Sequence, residues 1–223
     1  MIGNPTERFQ EDPVRMIRAI RFKVKLGATI DPNISKSISN QAHLLANIPA
    51  ARLYDECIKL FHNENAYEVF KQLIKFKLLN YLFSQTEETS FINKTLINTS
   101  NRIKNGKPVT PAFLFAVFLW SAQNKRFKEL NKEKKSRILT MTQASEDVIS
   151  KQTKQVLMPR WLSARVKDIW LMQHQLENCS LKKAKKLIRH PRFRIAYDFL
   201  VLRSESINPE LSDRAKYWTQ LQQ

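Results

Sequence analysis

Glycine occurs only 3 times in the 223 residues of this chain, and that scarcity constrains the fold more than any other feature. Average usage is roughly 7%, and glycine supplies the positive φ that tight hairpins and phosphate-cradling loops require. No strand-like alternation of useful length appears, whereas apolar residues recur at helical spacing through most of the chain. We therefore predict an all-α fold, organised as a helical bundle.

The charge balance points to an anionic partner. The chain carries 38 Lys and Arg against 20 Asp and Glu, a formal charge of +18, while a hydrophobic share of 43% still allows a core. Self-repulsion on this scale is compatible with a compact protein that works on a polyanion. Nucleic acid is the first candidate. A membrane is disfavoured, because the longest apolar run (residues 112–120) falls short of the roughly 20 residues that span a bilayer.

Chain organisation and compartment follow from composition. Residues 84–109 are polar and poor in apolar side chains, so we place a boundary there, giving an upstream region at 1–85 and a downstream region at 86–223. Cys57 and Cys179 lie far apart and form no metal-binding or disulfide pattern. The first residues lack the apolar core of a signal peptide. We expect a cytoplasmic location.

Catalytic groups are scarce in the sequence. Adjacent acidic residues such as Glu87 and Glu88 would diverge by about 100° on a helix, no Asp-x-Asp occurs, and the four histidines are isolated. A phosphoryl-transfer site needs convergent carboxylates that hold Mg²⁺. We therefore expect no catalytic residue, metal site or cofactor within this chain.

The N-terminal segment places a carboxylate and a guanidinium one helical turn apart. Asp12 is predicted to cap the first helix, with Pro13 at its first position and Gly27 at its end. Asp12 and Arg15 would then present acceptors and donors side by side, which suits the edge of a nucleobase. The alternative is a capped helix with a solvated basic face.

At these residues the chain resembles the class II nucleotidyltransferases, which comprise bacterial poly(A) polymerases and tRNA CCA-adding enzymes. The stretch RFQEDPVRMIRAIRFKVKLG (residues 8–27) is similar to their EDxxR helix. Residues 48–83, PAFLFAVFLW, PRWLSARVKDIWLMQ and KLIRHPRFRIAYDFLVLR resemble downstream parts of the poly(A) polymerases in particular. The resemblance implies an all-helical arrangement of neck, body and leg.

The resemblance also implies an activity and its partners: the intact enzyme adds adenylates from ATP, with Mg²⁺, to single-stranded RNA 3′ ends. Asp12 and Arg15 would contact adenine, Glu11 would support Arg15, and Arg18 and Arg21 would lie nearer the triphosphate or the primer backbone. The family's N-terminal head domain, which carries its paired aspartates, has no counterpart in these residues, so we expect that the chain alone adds no adenylate. A fragment of a CCA-adding enzyme and a free-standing RNA-binding helical module remain alternatives.

Positive charge is concentrated near the C-terminus, where residues 160–203 hold 11 Lys and Arg against 3 Asp and Glu. A solvated face is one interpretation; the density favours a phosphate backbone as ligand. The predicted RNA-binding residues are Arg160, Arg165, Lys182, Lys183, Lys185, Lys186, Arg189, Arg192 and Arg194. Interleaved aromatic residues have helical spacing, so core packing is predicted rather than base stacking for Trp161, Trp170, Phe193 and Tyr197.

Overall fold

A computed structural model describes residues 3–131 and 136–222 of the chain. Within them it contains fourteen α-helices and no strand, which confirms the all-α prediction. The helices are α1 Pro5–Glu11, α2 Val14–Leu26, α3 Pro32–Gln41, α4 Ala50–Phe61, α5 Ala66–Lys75, α6 Leu79–Leu82, α7 Ser90–Lys104, α8 Pro111–Phe118, α9 Trp120–Leu130, α10 Arg137–Gln155, α11 Arg160–Asn178, α12 Leu181–Ile188, α13 Phe193–Ser204 and α14 Ser212–Leu221.

The first of two compact units comprises residues 1–86, 96–109 and 150–158. In it α1 packs on α3, and α2 packs against α4 and α5. Apolar side chains of α2 enter the core, where Ile17 and Ile20 are fully buried. Residues 150–158 are tied to α6, because the Gln152 amide donates a 2.7 Å hydrogen bond to the Leu82 carbonyl.

The second unit comprises residues 87–95, 110–149 and 159–223. The uncharged run that begins at Pro111 forms α8, which is buried almost throughout and packs against α11 and α13. Trp170 of α11 donates from its indole nitrogen to the Ala116 carbonyl at 3.1 Å. The ring of Phe199 of α13 makes edge-to-face contacts with the rings of Phe91, Phe113 and Trp120.

Two local expectations differ from the structure. The helix α1, capped by the Asn4 side chain, precedes Asp12, so the helix predicted to begin there is the second in the chain. The polar stretch predicted as a boundary forms α7, whose residues, like those of α10, are divided between the two units. The division into 1–85 and 86–223 remains a prediction. No helix among the described residues has the length and apolar character needed to cross a bilayer.

Candidate nucleic-acid interface

The N-terminal motif lies at a corner between α1 and α2, and Pro13 is the cause of the corner. Proline lacks the N–H needed to continue α1, and it disfavours helical backbone in the residue before it. Asp12 accordingly adopts an extended conformation, with φ −146° and ψ 91°. Glu11 therefore ends one helix, and Arg15 lies in the first turn of the next.

Across this corner Glu11 and Arg15 form an ion pair. Arg15 Nη1 donates to Glu11 Oε2 at 2.8 Å and to the Arg8 carbonyl at 3.0 Å, so it also closes the end of α1. Arg8 donates to the same Glu11 oxygen at 2.7 Å. The hydrogen bond from Arg15, together with the charge of Arg8, lowers the pKa of Glu11 below its ordinary value. Arg15 Nε and Nη2 have no partner among the described residues and are the donors left for a ligand.

The Asp12 side chain has two hydrogen-bond partners, neither of which is the Arg15 side chain. Its Oδ1 accepts the Val14 backbone N–H at 3.3 Å, which satisfies one unpaired donor at the start of α2. Its Oδ2 accepts from Arg52 Nη2 of α4 at 2.9 Å. A carboxylate oxygen can accept more than one hydrogen bond, so Asp12 retains acceptor capacity while its orientation is fixed. Nothing in the sequence singled out Arg52.

Arg18 reaches a buried carboxylate. Its Nη2 and Nε lie 3.0 and 3.3 Å from Glu56 Oε1, and Lys59 Nζ lies 3.1 Å from the same atom. The Glu56 side chain is only 2% exposed. Burial alone would raise the pKa of Glu56, but the hydrogen bonds from Arg18 and Lys59 outweigh it and hold that pKa below its ordinary value. Arg18 thus has a role in the fold of the first unit, whatever it binds.

Arg21 lies on α2 one turn beyond Arg18. Its guanidinium carbon is 5.0 Å from the ring centroid of Phe22, and the Phe22 side chain is exposed. Its Nε is buried without a hydrogen-bond partner. The structure therefore places the five predicted residues along one corner and the helix that follows it. Glu11, Asp12 and Arg18 have side-chain partners there. Arg15 keeps two unpaired donor nitrogens, and Arg21 Nε is buried without a partner.

The densest positive charge is on α12. Its apolar side chains Ala184, Leu187 and Ile188 join a core cluster of the second unit. Lys183, Lys185 and Lys186, with Arg189 just after the helix, are exposed. None of these four cations has an acidic partner within the described residues. The side chain of Lys182 lies outside that description.

Several of the remaining predicted RNA-binding residues have internal partners. Arg192 Nε lies 3.4 Å from Asp168, and Arg194 Nε lies 3.2 Å from Asp198. Arg160 begins α11, is exposed, and forms no ion pair within the described part of the chain. Arg165, also exposed, holds its guanidinium carbon 5.3 Å from the ring centroid of Trp161.

Two further arginines of the C-terminal region serve the fold. Arg203 is buried, donates to Glu177 at 2.8 Å and to Gln173 at 3.1 Å, and lies 4.5 Å from the Trp120 ring centroid. Arg214 donates to the Leu176 and Cys179 carbonyls. Counting charge along the sequence does not separate these cations from the exposed ones.

The aromatic residues that lie between these cations in the sequence are also partly buried and partly exposed. The core prediction is confirmed for Trp170, Phe193 and Tyr197, which are all buried. It is wrong for Trp161, whose side chain is 46% exposed. Trp161 precedes the first core position of α11, Leu162, so its ring falls outside the stripe that faces the bundle.

Mg²⁺ does not fit the described residues. The resemblance implies this ion for phosphoryl transfer, which needs convergent carboxylates. Residues 3–131 and 136–222 contain no group of three or more His, Cys, Asp or Glu side chains that could hold a metal ion.

Comparison with known proteins places two domain families on the chain. Residues 27–89 match the family model "Probable RNA and SrmB-binding site of polymerase A", and residues 120–223 match "Polymerase A arginine-rich C-terminus". Poly(A) polymerase I of Salmonella typhimurium is 36% identical over the whole chain, and that of Haemophilus influenzae is 32% identical. The chain spans about half the length of both relatives (50% and 52%). A CCA-adding enzyme of Bacillus cereus is 31% identical over 58% of the chain and 35% of its own length.

Proposed function

We propose that this chain, which belongs to the poly(A) polymerase family through the domains at residues 27–89 and 120–223, holds RNA and recognises the incoming nucleotide for a polynucleotide adenylyltransferase. The observation that carries the proposal is the exposed cluster of Lys183, Lys185, Lys186 and Arg189, which has no acidic partner in the described residues and lies within the arginine-rich domain. Such a cluster suits a phosphate backbone bound with little sequence preference.

The corner between α1 and α2 supports the second half of the proposal. Glu11 and the Arg8 carbonyl hold one amino group of Arg15, which leaves Nη2 and Nε to donate to a base edge. Asp12 is held by Arg52 and offers a carboxylate acceptor beside it. A fixed acceptor and a fixed donor are what discrimination of an adenine edge requires. Arg18 and Arg21 would act nearer the triphosphate or the primer.

The two roles separate in a salt titration. Each phosphate contact with single-stranded nucleic acid contributes about 0.7 to the slope of log K against log salt concentration. Replacing Lys183, Lys185 and Lys186 by Gln should therefore lower the slope for an oligoadenylate by about 2. Arg15→Ala should leave the slope nearly unchanged and alter only the choice of nucleotide in a protein that also contains a nucleotidyltransferase head.

A control variant with the same loss of charge tests whether the salt slope depends on which lysines are replaced. Three exposed lysines of the first unit are replaced by Gln in the control variant: Lys36, Lys151 and Lys154. This variant loses the same net charge and should retain most of the wild-type slope. Equal slopes in the two triple variants, or an equal effect of Arg15→Ala on RNA binding, would contradict the proposed division.

The expected absence of adenylate addition is tested on the same protein. The purified chain is incubated with ATP, Mg²⁺ and an RNA primer, and extension of the primer by even a few adenylates would refute the expectation. Use of ATP alone, rather than of CTP as well, by a head-containing form distinguishes the proposal from the CCA-adding alternative. Tight RNA binding without association with a separately supplied head would favour the free-standing module.

A further inference from the structure

The four tryptophans of the chain have different surroundings, and Trp161 is the exception among them. Trp170 and Trp218 are fully buried, and each donates from its indole nitrogen to a backbone carbonyl. Trp120 is buried beneath the guanidinium of Arg203. The Trp161 side chain is 46% exposed, and its indole nitrogen has no acceptor within the described residues. The packing of the second unit therefore does not account for this ring.

Trp161 lies on an exposed face of α11, away from the side chains that enter the core. Residues 161, 164, 165 and 168 share this face, because three and four positions are one helical turn. Ala164 is exposed and small, so no bulky side chain stands beside the ring at that position. The guanidinium of Arg165 lies 5.3 Å from the ring centroid, which orients the indole and keeps a positive charge next to it.

One cation of the C-terminal region, Arg192, contacts the same face of α11. Asp168 lies two turns after Trp161, about 10 Å along the helix axis. Its carboxylate is 3.4 Å from Arg192 Nε, and Arg192 lies three residues after Arg189 of the exposed cluster on α12. Cations are therefore found both beside the exposed ring, at Arg165, and two turns further along the same face, at Arg192.

We propose that Trp161 and Arg165 form a stacking platform for one base of single-stranded RNA, whose backbone continues toward Arg192 and the exposed cations of α12. This proposal rests on the RNA-binding function proposed above. The flat ring supplies a sequence-tolerant surface, and Arg165 supplies a charge within reach of the adjoining phosphate. An acidic protein partner would use the cations but has no need of a flat, open aromatic ring.

Fluorescence tests the platform directly, since Trp161 is the exposed tryptophan and the other three are buried. Addition of an oligoadenylate should quench the exposed fraction of the emission in the wild-type protein. The Trp161→Phe variant should lose that RNA-dependent change while retaining the emission of Trp120, Trp170 and Trp218. RNA that binds without altering the emission would overturn the platform.

Affinity provides the second measurement. Trp161→Ala should weaken oligoadenylate binding on the order of tenfold, and Trp161→Phe should weaken it less because a ring remains. The salt slope should not change, since no charge is removed. With an abasic oligomer of equal length, wild type and Trp161→Ala should bind equally. Equal affinities for oligoadenylate, or an equal loss with the abasic oligomer, would refute stacking.

These outcomes are distinct from a failure of the proposed function. A wild-type protein that binds neither oligoadenylate nor the abasic oligomer, at any salt concentration, would refute RNA binding itself. A wild-type protein that binds both with a steep salt slope but is indifferent to Trp161 would refute only the platform. Circular dichroism of the variants checks that each remains folded, as expected for substitution of an exposed side chain.

Discussion

Replacing Arg18 with alanine should destabilise the fold, because it removes a donor pair from a buried carboxylate. Glu56 is 2% exposed and receives two N–H groups of Arg18 and the ammonium group of Lys59 on Oε1. Its Oε2 is buried without a partner. After the substitution, Lys59 alone would compensate the charge.

The magnitude follows from the exposure of each partner. Removing one partner of a buried ion pair costs about 3–5 kcal/mol, whereas an exposed pair contributes about 0–1 kcal/mol. Arg18 is 40% exposed and Lys59 remains, so the pair lies between these limits. We expect Arg18→Ala to lower the free energy of unfolding by about 2 kcal/mol at pH 7.

The effect should depend on pH in a defined direction. The pKa of Glu56 is lowered in the folded protein, so its pairing contributes stability above the ordinary carboxyl pKa. That contribution is lost as the pH falls through the folded-state pKa. The difference between wild type and Arg18→Ala should therefore be largest near neutral pH and shrink below about pH 4.

Urea unfolding, followed by circular dichroism at several pH values, measures both quantities. Lys25→Ala serves as the control, since Lys25 is an exposed cation of the same helix with no ion pair among the described residues. In a double-mutant cycle, Arg18→Ala should cost much less in a Glu56→Gln background than in the wild type. If Arg18→Ala is as stable as Lys25→Ala at pH 7, the buried pair does not exist in solution and the reasoning fails.

Three further predictions concern stability and reactivity. Arg203→Met should lower the unfolding free energy by about 3 kcal/mol because it strands a carboxylate and uncovers an aromatic ring; a loss under 0.5 kcal/mol would contradict this role. Gly27→Ala should cost about 1 kcal/mol, since Gly27 has φ 61°, whereas Gly27→Asn should cost less; the urea midpoint measures both, and identical midpoints would refute the left-handed cap. A thiol reagent should label Cys179 quickly and Cys57 only after unfolding, because Cys57 is buried and burial raises the pKa of its thiol; rapid labelling of two thiols in the native protein would contradict the burial of Cys57.

Much of the local structure was predictable because it depends on neighbours along the chain. Gly27 takes the left-handed conformation expected at a helix end. Pro111 begins the apolar helix that became central to its unit. Lys183, Lys185 and Lys186 of α12 are exposed, as a strongly polar helix face predicts. The same local logic missed α1, whose cap is Asn4 and whose short length gives a weak periodic signal.

The candidate site was predictable in composition but not in its partners. The family resemblance implied that Glu11 supports Arg15, and the structure brings their charged atoms to 2.8 Å. It could not indicate that Asp12 would be held by Arg52, 40 residues away, or that Arg18 would reach Glu56. Such pairs form only when α2 and α4 pack together, and the separation along the chain carries no signal of that packing.

What the sequence by itself determined is the helical class, the placement of several helix ends and the concentration of positive charge, since each depends on residue type and short-range spacing. Only the tertiary structure decided which of these residues are exposed. Trp161 and Trp170 lie on the same helix, yet one is open and the other is buried against α8. Arg165 and Arg203 belong to the same basic stretch, yet the second is enclosed by Glu177, Gln173 and Trp120. Burial depends on which distant helix covers a face, and that is fixed by the packing of the whole unit rather than by neighbours in sequence.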